Sequence, residues 1–150
     1  MRDRDVLNAI KEALEATRAF DTAGVWLWDP EDFGEGTSIA AAAWIEPATG
    51  AIDDRWDDAP GGGVIVTSTC KITIAARAED TRLRDEMAEN LIMFAFNSLN
   101  GQSLAELTLP EFTRFQSWTW LPPTPPERQI ACTFSYQYIV EGWNDFDVTE

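Results

Sequence analysis

The side chains of this chain best suited to chemistry are carboxylates, and they are crowded. Asp53-Asp54 and Asp57-Asp58, with Glu46 nearby, offer hard oxygen donors of the kind that bind calcium. Their spacing lacks the alternating D-x-D-x-D-G pattern of a calcium loop, so hydrated surface acids are the better reading. Two carboxylates can also cleave a glycosidic bond, but their separation is a three-dimensional quantity that the sequence does not give. The 150 residues contain no histidine. That removes the commonest general base, most zinc sites and the usual Ser–His pairs. Gly61-Gly-Gly63 precedes a strand pattern, and no GxxxxGK[ST] loop is present to cradle phosphate. The expectation is a protein that is not an enzyme, with no metal and no cofactor.

Seven tryptophans suggest a different use of side chains. Trp26/Trp28 and Trp118/Trp120 are spaced i, i+2, which places both rings of each pair on one face of a strand. Exposed, such pairs stack on sugars; buried, they serve core packing and subunit contact, where aromatics are enriched. Trp118, Trp120, Trp143 and the neighbouring Arg114 are read as subunit-interface residues. Cys70 and Cys132 fall on the apolar parity of their strands, where a thiol behaves as a small buried hydrophobe.

The formal charge of −15 is unevenly spread. From Asp29 to Asp58 there are nine acids (Asp29, Glu31, Asp32, Glu35, Glu46, Asp53, Asp54, Asp57, Asp58) against Arg55 alone. Glu141, Asp145, Asp147 and Glu150 add to it near the C-terminus. A basic footprint for gripping nucleic acid is missing. The plain reading is a solubilising surface; the sharper one is a surface that DNA passes without sticking. No apolar run approaches a membrane span, and the charged start Met1-Arg-Asp-Arg-Asp is unlike a signal peptide. A cytoplasmic or assembled, non-secreted protein is expected.

Two long alternating stretches must position these residues. Val64, Val66, Cys70, Ile72, Ile74 and Ala76 share one parity over Val64–Arg77. Ile130, Cys132, Phe134, Tyr136, Tyr138 and Val140 do so over Gln129–Gly142. Each predicts a long strand with one dry face. Between them lies a helix, Thr81 to about Asn100, capped by Asp80 and stopped by Gly101. Its apolar face is read as Leu83, Met87, Leu91, Phe94 and Ala95, widened by Ile92, Met93, Phe96 and Leu99, an arc that implies burial on more than one side.

The remaining elements follow from local signals. A first helix to about Thr17, capped by Asp3 or Asp5, presents Val6, Ile10, Ala13, Leu14 and Thr17. Short strands are expected at Val25–Trp28, Thr37–Ile45 (ending at Pro47) and Phe112–Leu121. Asp53–Gly63 reads as an acidic loop, and Pro122–Pro126 as a stiff turn. The fold class is therefore α+β: one domain over 1–150, a mostly antiparallel sheet packed by two helices, in the order α-β-β-β-α-β-β.

That order of elements resembles the phage tail terminator proteins, also called tail completion or head–tail joining proteins. The matching features are the helix Val6–Thr17, Lys71-Ile-Thr-Ile-Ala-Ala-Arg77, the helix Thr81–Asn100, and Glu127-Arg-Gln-Ile-Ala-Cys-Thr-Phe-Ser-Tyr-Gln-Tyr138. The tryptophan load and the acidic segment Asp29–Asp58 depart from that pattern. The resemblance implies a virion protein forming a hexameric ring that caps the tail tube and meets a head-completion or neck protein, with DNA passing unbound. Asp53, Asp54, Asp57 and Asp58 are the acids assigned to its lumen. Rival readings are another head–tail connector or minor tail protein, an acidic DNA-mimic inhibitor, and a sugar-binding module.

Overall fold

The computed structural model of the protein describes residues 3–20, 22–25, 40–53, 64–123 and 127–140. Its elements are α1 (Asp3–Ala16), β1 (Thr22–Val25), β2 (Ala41–Asp53), β3 (Val64–Arg77), α2 (Thr81–Leu99), β4 (Arg114–Trp120) and β5 (Glu127–Val140). The strands form one sheet in the order β1-β2-β3-β5-β4, antiparallel except for the β1–β2 pair. The α+β class and the order α-β-β-β-α-β-β are as the sequence predicts.

β3 and β5 are the longest strands and pair without a break, from Val64 opposite Val140 to Arg77 opposite Glu127. Directly opposed residues share a face, so the apolar parity of one strand meets that of the other. Cys70, Ile72 and Ile74 of β3 join Ile130, Cys132, Phe134, Tyr136 and Tyr138 of β5 in one buried cluster. Both helices cover this side: α1 contributes Val6, Leu7, Ile10 and Leu14, and α2 contributes Ala88, Leu91, Ile92, Ala95 and Leu99. Rings run through the core in sequence. Phe96 of α2 meets Phe115 of β4 at 5.8 Å, Phe115 meets Phe134 edge-on at 5.2 Å, and Tyr136 and Tyr138 stack at 6.2 Å.

Asp80 caps α2 as expected, its carboxylate accepting from the Arg82 and Leu83 amides. Asn100 is the C-terminal cap, and Gly101 follows at φ +75°, a conformation that glycine adopts without strain. The apolar face predicted for this helix needs correction. Its buried positions are Arg84, Ala88, Leu91, Ile92, Ala95 and Leu99, the i, i+4, i+7 stripe of an α-helix, while Leu83, Met93, Phe94 and Phe96 are exposed. Two alanines in that stripe let the helix lie close to the sheet. Arg84 fits because it sits in the first turn, with its Nε donating to Asp85 Oδ1 at 3.3 Å.

Three strand limits also move. β1 is Thr22–Val25, three residues earlier than expected, and Trp26 and Trp28 lie outside the described residues. β4 begins at Arg114, because Leu104–Glu106 and Pro110–Phe112 are tight 3-10 turns. β2 does not end before Pro47 but runs to Asp53, which makes Asp53 a strand residue. The phase of the ladder explains the tolerance. The Arg77 amide donates to the Ala40 carbonyl at 2.8 Å, and counting by twos puts the Glu46–Lys71 pair in the hydrogen-bonded set. The nitrogen of Pro47 therefore faces away from β3, where its missing hydrogen breaks no β2–β3 bond. A bulge between Pro47 and Thr49 follows, and the β1 ladder ends at Ile45.

Asp3 does more than open α1. Its Oδ1 accepts from Ser68 Oγ and from the Tyr136 hydroxyl, both at 3.0 Å, tying the start of the helix to β3 and β5. Removing this acceptor leaves two hydroxyls without it in the interior, a loss of about 1–3 kcal/mol per unsatisfied group. Asp3→Ala should therefore lower unfolding free energy in urea by that order, and by clearly less in a Ser68→Ala/Tyr136→Phe background. Equal losses in both backgrounds would show that the clamp contributes nothing.

Candidate assembly interface

The face of the sheet away from the helices is built from the polar parity of the same strands. Thr67, Thr69, Lys71, Thr133, Ser135 and Gln137 lie there, with Arg114 of β4 opposite Ser135. Around Arg114, Gln116 and Ser117, all of these but Lys71 line a shallow groove of about 500 Å³. Gln116 bulges out of the β4–β5 register and its side-chain amide donates to Ser135 Oγ at 2.7 Å. Charges on this face are mixed: Glu46 opposes Lys71, and Arg77 forms a 3.0 Å ion pair with Glu127. Among the described residues of this face hydroxyls and amides dominate, without the rows of carboxylates that would imitate a DNA backbone. At the β1–β2 end the face is dry, since Ala42, Trp44 and Ala75 are buried there.

The tryptophans divide by environment. Trp44 is only 5% exposed and packs in that small second cluster. Trp120 faces the main core, and the Arg128 guanidinium lies 4.9 Å over its ring, so one ring face is already taken. Trp118 is different, for 52% of it is open to solvent at the edge of the sheet. Arg114 is exposed and donates from Nε to the Glu111 carbonyl at 2.9 Å. Trp143 lies outside the described residues, as do Asp54, Asp57 and Asp58, so the structure brings together only Arg114, Trp118 and Trp120 of the expected interface set.

The sequence reading did not place Phe96 in the candidate interface. Phe96 sits on the flank of α2 that meets β4 through Phe115, and Met93 lies one turn earlier on the same flank. With Met93 56% exposed and Phe94 48% exposed, the outward side of α2 carries bulky apolar groups that nothing described covers. The wide apolar arc in the sequence was the available signal: the helix has two apolar sides, and the single chain buries one. Patches of this kind in a soluble chain mark contact surfaces.

Cys70 and Cys132 are free, buried thiols on neighbouring strands, with Cys132 opposite Ile72 and Cys70 opposite Phe134. Burial pushes Cys132 up to about 12, and burial with the nearby Asp3 charge pushes Cys70 higher still. Tyr136 moves up for the same two reasons. Among the described residues no group of His, Cys, Asp and Glu is arranged to hold a metal ion. No described helix is long and apolar enough to cross a membrane.

No family profile and no curated protein matches the chain. The fold has a counterpart among solved structures. It is similar to a chain described as "Virion of native gene transfer agent (GTA) particle", with a TM-score of 0.59 and 14% sequence identity. The match covers 89% of this chain and 94% of that chain. At that identity the likeness is one of fold, and it spans nearly the whole of both chains.

The thiols give a pH dependence whose sign is fixed. Cys132 releases its proton near its ordinary value of 9.0 when unfolded and near 12 when folded. Between those values the folded state holds more protons, so stability falls as pH rises, by up to about 1.4 kcal/mol per pH unit for one such group. Urea midpoints should hold below pH 9 and drop above it, with Cys132→Ala showing a shallower decline. At neutral pH both thiols should resist a thiol reagent until the protein is unfolded; rapid native labelling would contradict their burial.

Proposed function

We propose that this protein is a structural component of a virion, a ring subunit of the tail-terminator type that caps a tail tube and joins it to the head or neck. The observation that carries this reading is the near end-to-end likeness to a chain of a gene transfer agent virion, in a protomer whose α2 and β4 leave apolar side chains uncovered. A surface of that kind suits assembly rather than catalysis, and the scaffold is stiff: two paired strands of fourteen residues with helices on one side. Ring closure requires two different patches on each copy, a heterologous interface. Six copies are the number the family resemblance implies. The partners in this reading are the tube below and a head-completion protein above, with assembly in the host cytoplasm before incorporation.

Charge supports a division of labour along the strands. Asp53, at the end of β2, opposes Ile65, and Val64 opposes Val140, so residues 54–63 and 141–150 continue from one end of the sheet. These stretches contain Asp54, Asp57, Asp58, Glu141, Asp145, Asp147 and Glu150 against Arg55. We assign this end, with Asp53, Asp54, Asp57 and Asp58, to the lumen, where carboxylates repel passing phosphates.

Native mass spectrometry of the purified protein, alone and with tail tubes, tests the ring. A hexamer is expected, and a species that stays monomeric with tubes present overturns the reading. Asp54→Lys, Asp57→Lys and Asp58→Lys together should slow DNA ejection from particles while leaving ring mass unchanged. Ejection at the normal rate would remove these acids from the lumen.

A further inference from the structure

Among the described residues the sheet has two open edges, and they are unlike each other. At one, the Leu121 amide donates to the Gln129 carbonyl at 3.0 Å. Counting by twos along the antiparallel ladder makes Thr119–Ala131 and Ser117–Thr133 the other hydrogen-bonded pairs. The backbone groups of Trp118 and Trp120 therefore point outward, away from β5. From Ser117 to Trp120 this edge has none of the devices that block pairing, neither proline nor lysine nor an inward charge. Exposed rings flank it on both faces, Trp118 and Phe96 on the helix side and Phe112 on the groove side.

The opposite edge is the second half of β2. Among the described residues β1 pairs with β2 only from Ala42 to Ile45, and Glu46–Asp53 is bonded to β3 on one side alone. Pro47 and the bulge block pairing at its start, and the run Thr49–Asp53 is left regular, with Ile52 52% exposed. The charges do not repel, since β4 carries Arg114 and no carboxylate, whereas Thr49–Asp53 carries Asp53 and no cation. The area is also of the right order. Aromatic side chains of about 150–250 Å² each, left roughly half open, supply a few hundred Å² of apolar surface towards the ~800 Å² per partner that a stable interface buries.

Resting on the ring reading above, we infer that successive copies join by strand addition, β4 of one copy against Thr49–Asp53 of the next. Backbone hydrogen bonds give the join its direction, and Trp118, Phe96 and Phe112 close over it on either side. The two edges differ, so the contact is head-to-tail and leaves both edges satisfied only when the ring closes.

Cross-linking with a short bis-maleimide separates the possibilities. Ser117 and Ala51 both lie on the helix-free face, opposite Thr133 and Thr67 respectively. The native thiols are buried and stay silent. The variants are Ser117→Cys, Ala51→Cys and the double variant. The double variant should give a ladder of covalent multimers, roughly tenfold or more above either single variant, because assembly holds the two thiols at high effective concentration. Dimers from Ser117→Cys alone would mean β4 against β4 and overturn the inference. No ladder from a double variant whose native mass is hexameric would overturn it while leaving the ring intact. No ladder and a persistent monomer, tubes present, would overturn both.

Discussion

The unbroken pairing of β3 with β5 is the constraint on which the rest of the structure depends. Each strand alternates apolar and polar side chains, and a slip of one residue would exchange their faces along the whole length. Register is therefore held by all the buried pairs at once, Ile72 with Cys132 and Ile74 with Ile130 among them. Two consequences follow. The dry face must be covered, which recruits α1 and α2, and the ladder phase then dictates which backbone groups of every outer strand face solvent. The tolerance of Pro47 and the outward backbone of Trp118 are both set by that phase.

Against this frame, much of the fold was legible in the sequence. The parity of Val64–Arg77 and Gln129–Gly142 named the core residues of β3 and β5 almost completely, because a period of two has one reading. Asp80 and Gly101 marked the ends of α2 because capping is local chemistry. The outer strands were less legible. Pro47 reads as a strand stop until one knows that its nitrogen faces the open side, and that is a property of the neighbouring strand. Val25–Trp28 is apolar enough to be a strand, yet the described strand already begins at Thr22, where Thr22–Val25 matches Ala42–Ile45 of β2.

The candidate interface was legible only in part. Trp118 and Trp120 share a strand face by spacing, but their fates differ because Arg128, on a strand paired later in the chain, sits over one ring and not the other. α2 shows the same difficulty. Hydrophobicity gives two plausible apolar arcs, and Ala88 and Ala95 decide between them by allowing close approach to the sheet. Arg84 could not be placed in the buried stripe from its type, since an arginine is rarely buried unless paired. Leu83, Met93 and Phe94 are the remainder of that choice, apolar side chains turned outward by a helix that could bury only one arc.

The distribution of charge is compatible with the proposed association of so acidic a chain with copies of itself. Among the described residues fourteen acids face nine bases, so the scaffold carries only a third of the net −15. The other two thirds lie in segments beyond it, chiefly 26–39, 54–63 and 141–150. Around β4 and the first half of α2 the signs are interleaved: Arg82 pairs with Glu86, Arg84 with Asp85, and Arg128 lies 4.0 Å from Asp85. In the proposed join this region brings a nearly neutral surface to the neighbouring copy, and at physiological salt charges more than about 8 Å away are largely screened. On this proposal most of the net acidity belongs to segments 26–39, 54–63 and 141–150, apart from the described β2, β4 and α2 through which copies would join, and neither property has to be weakened for the other.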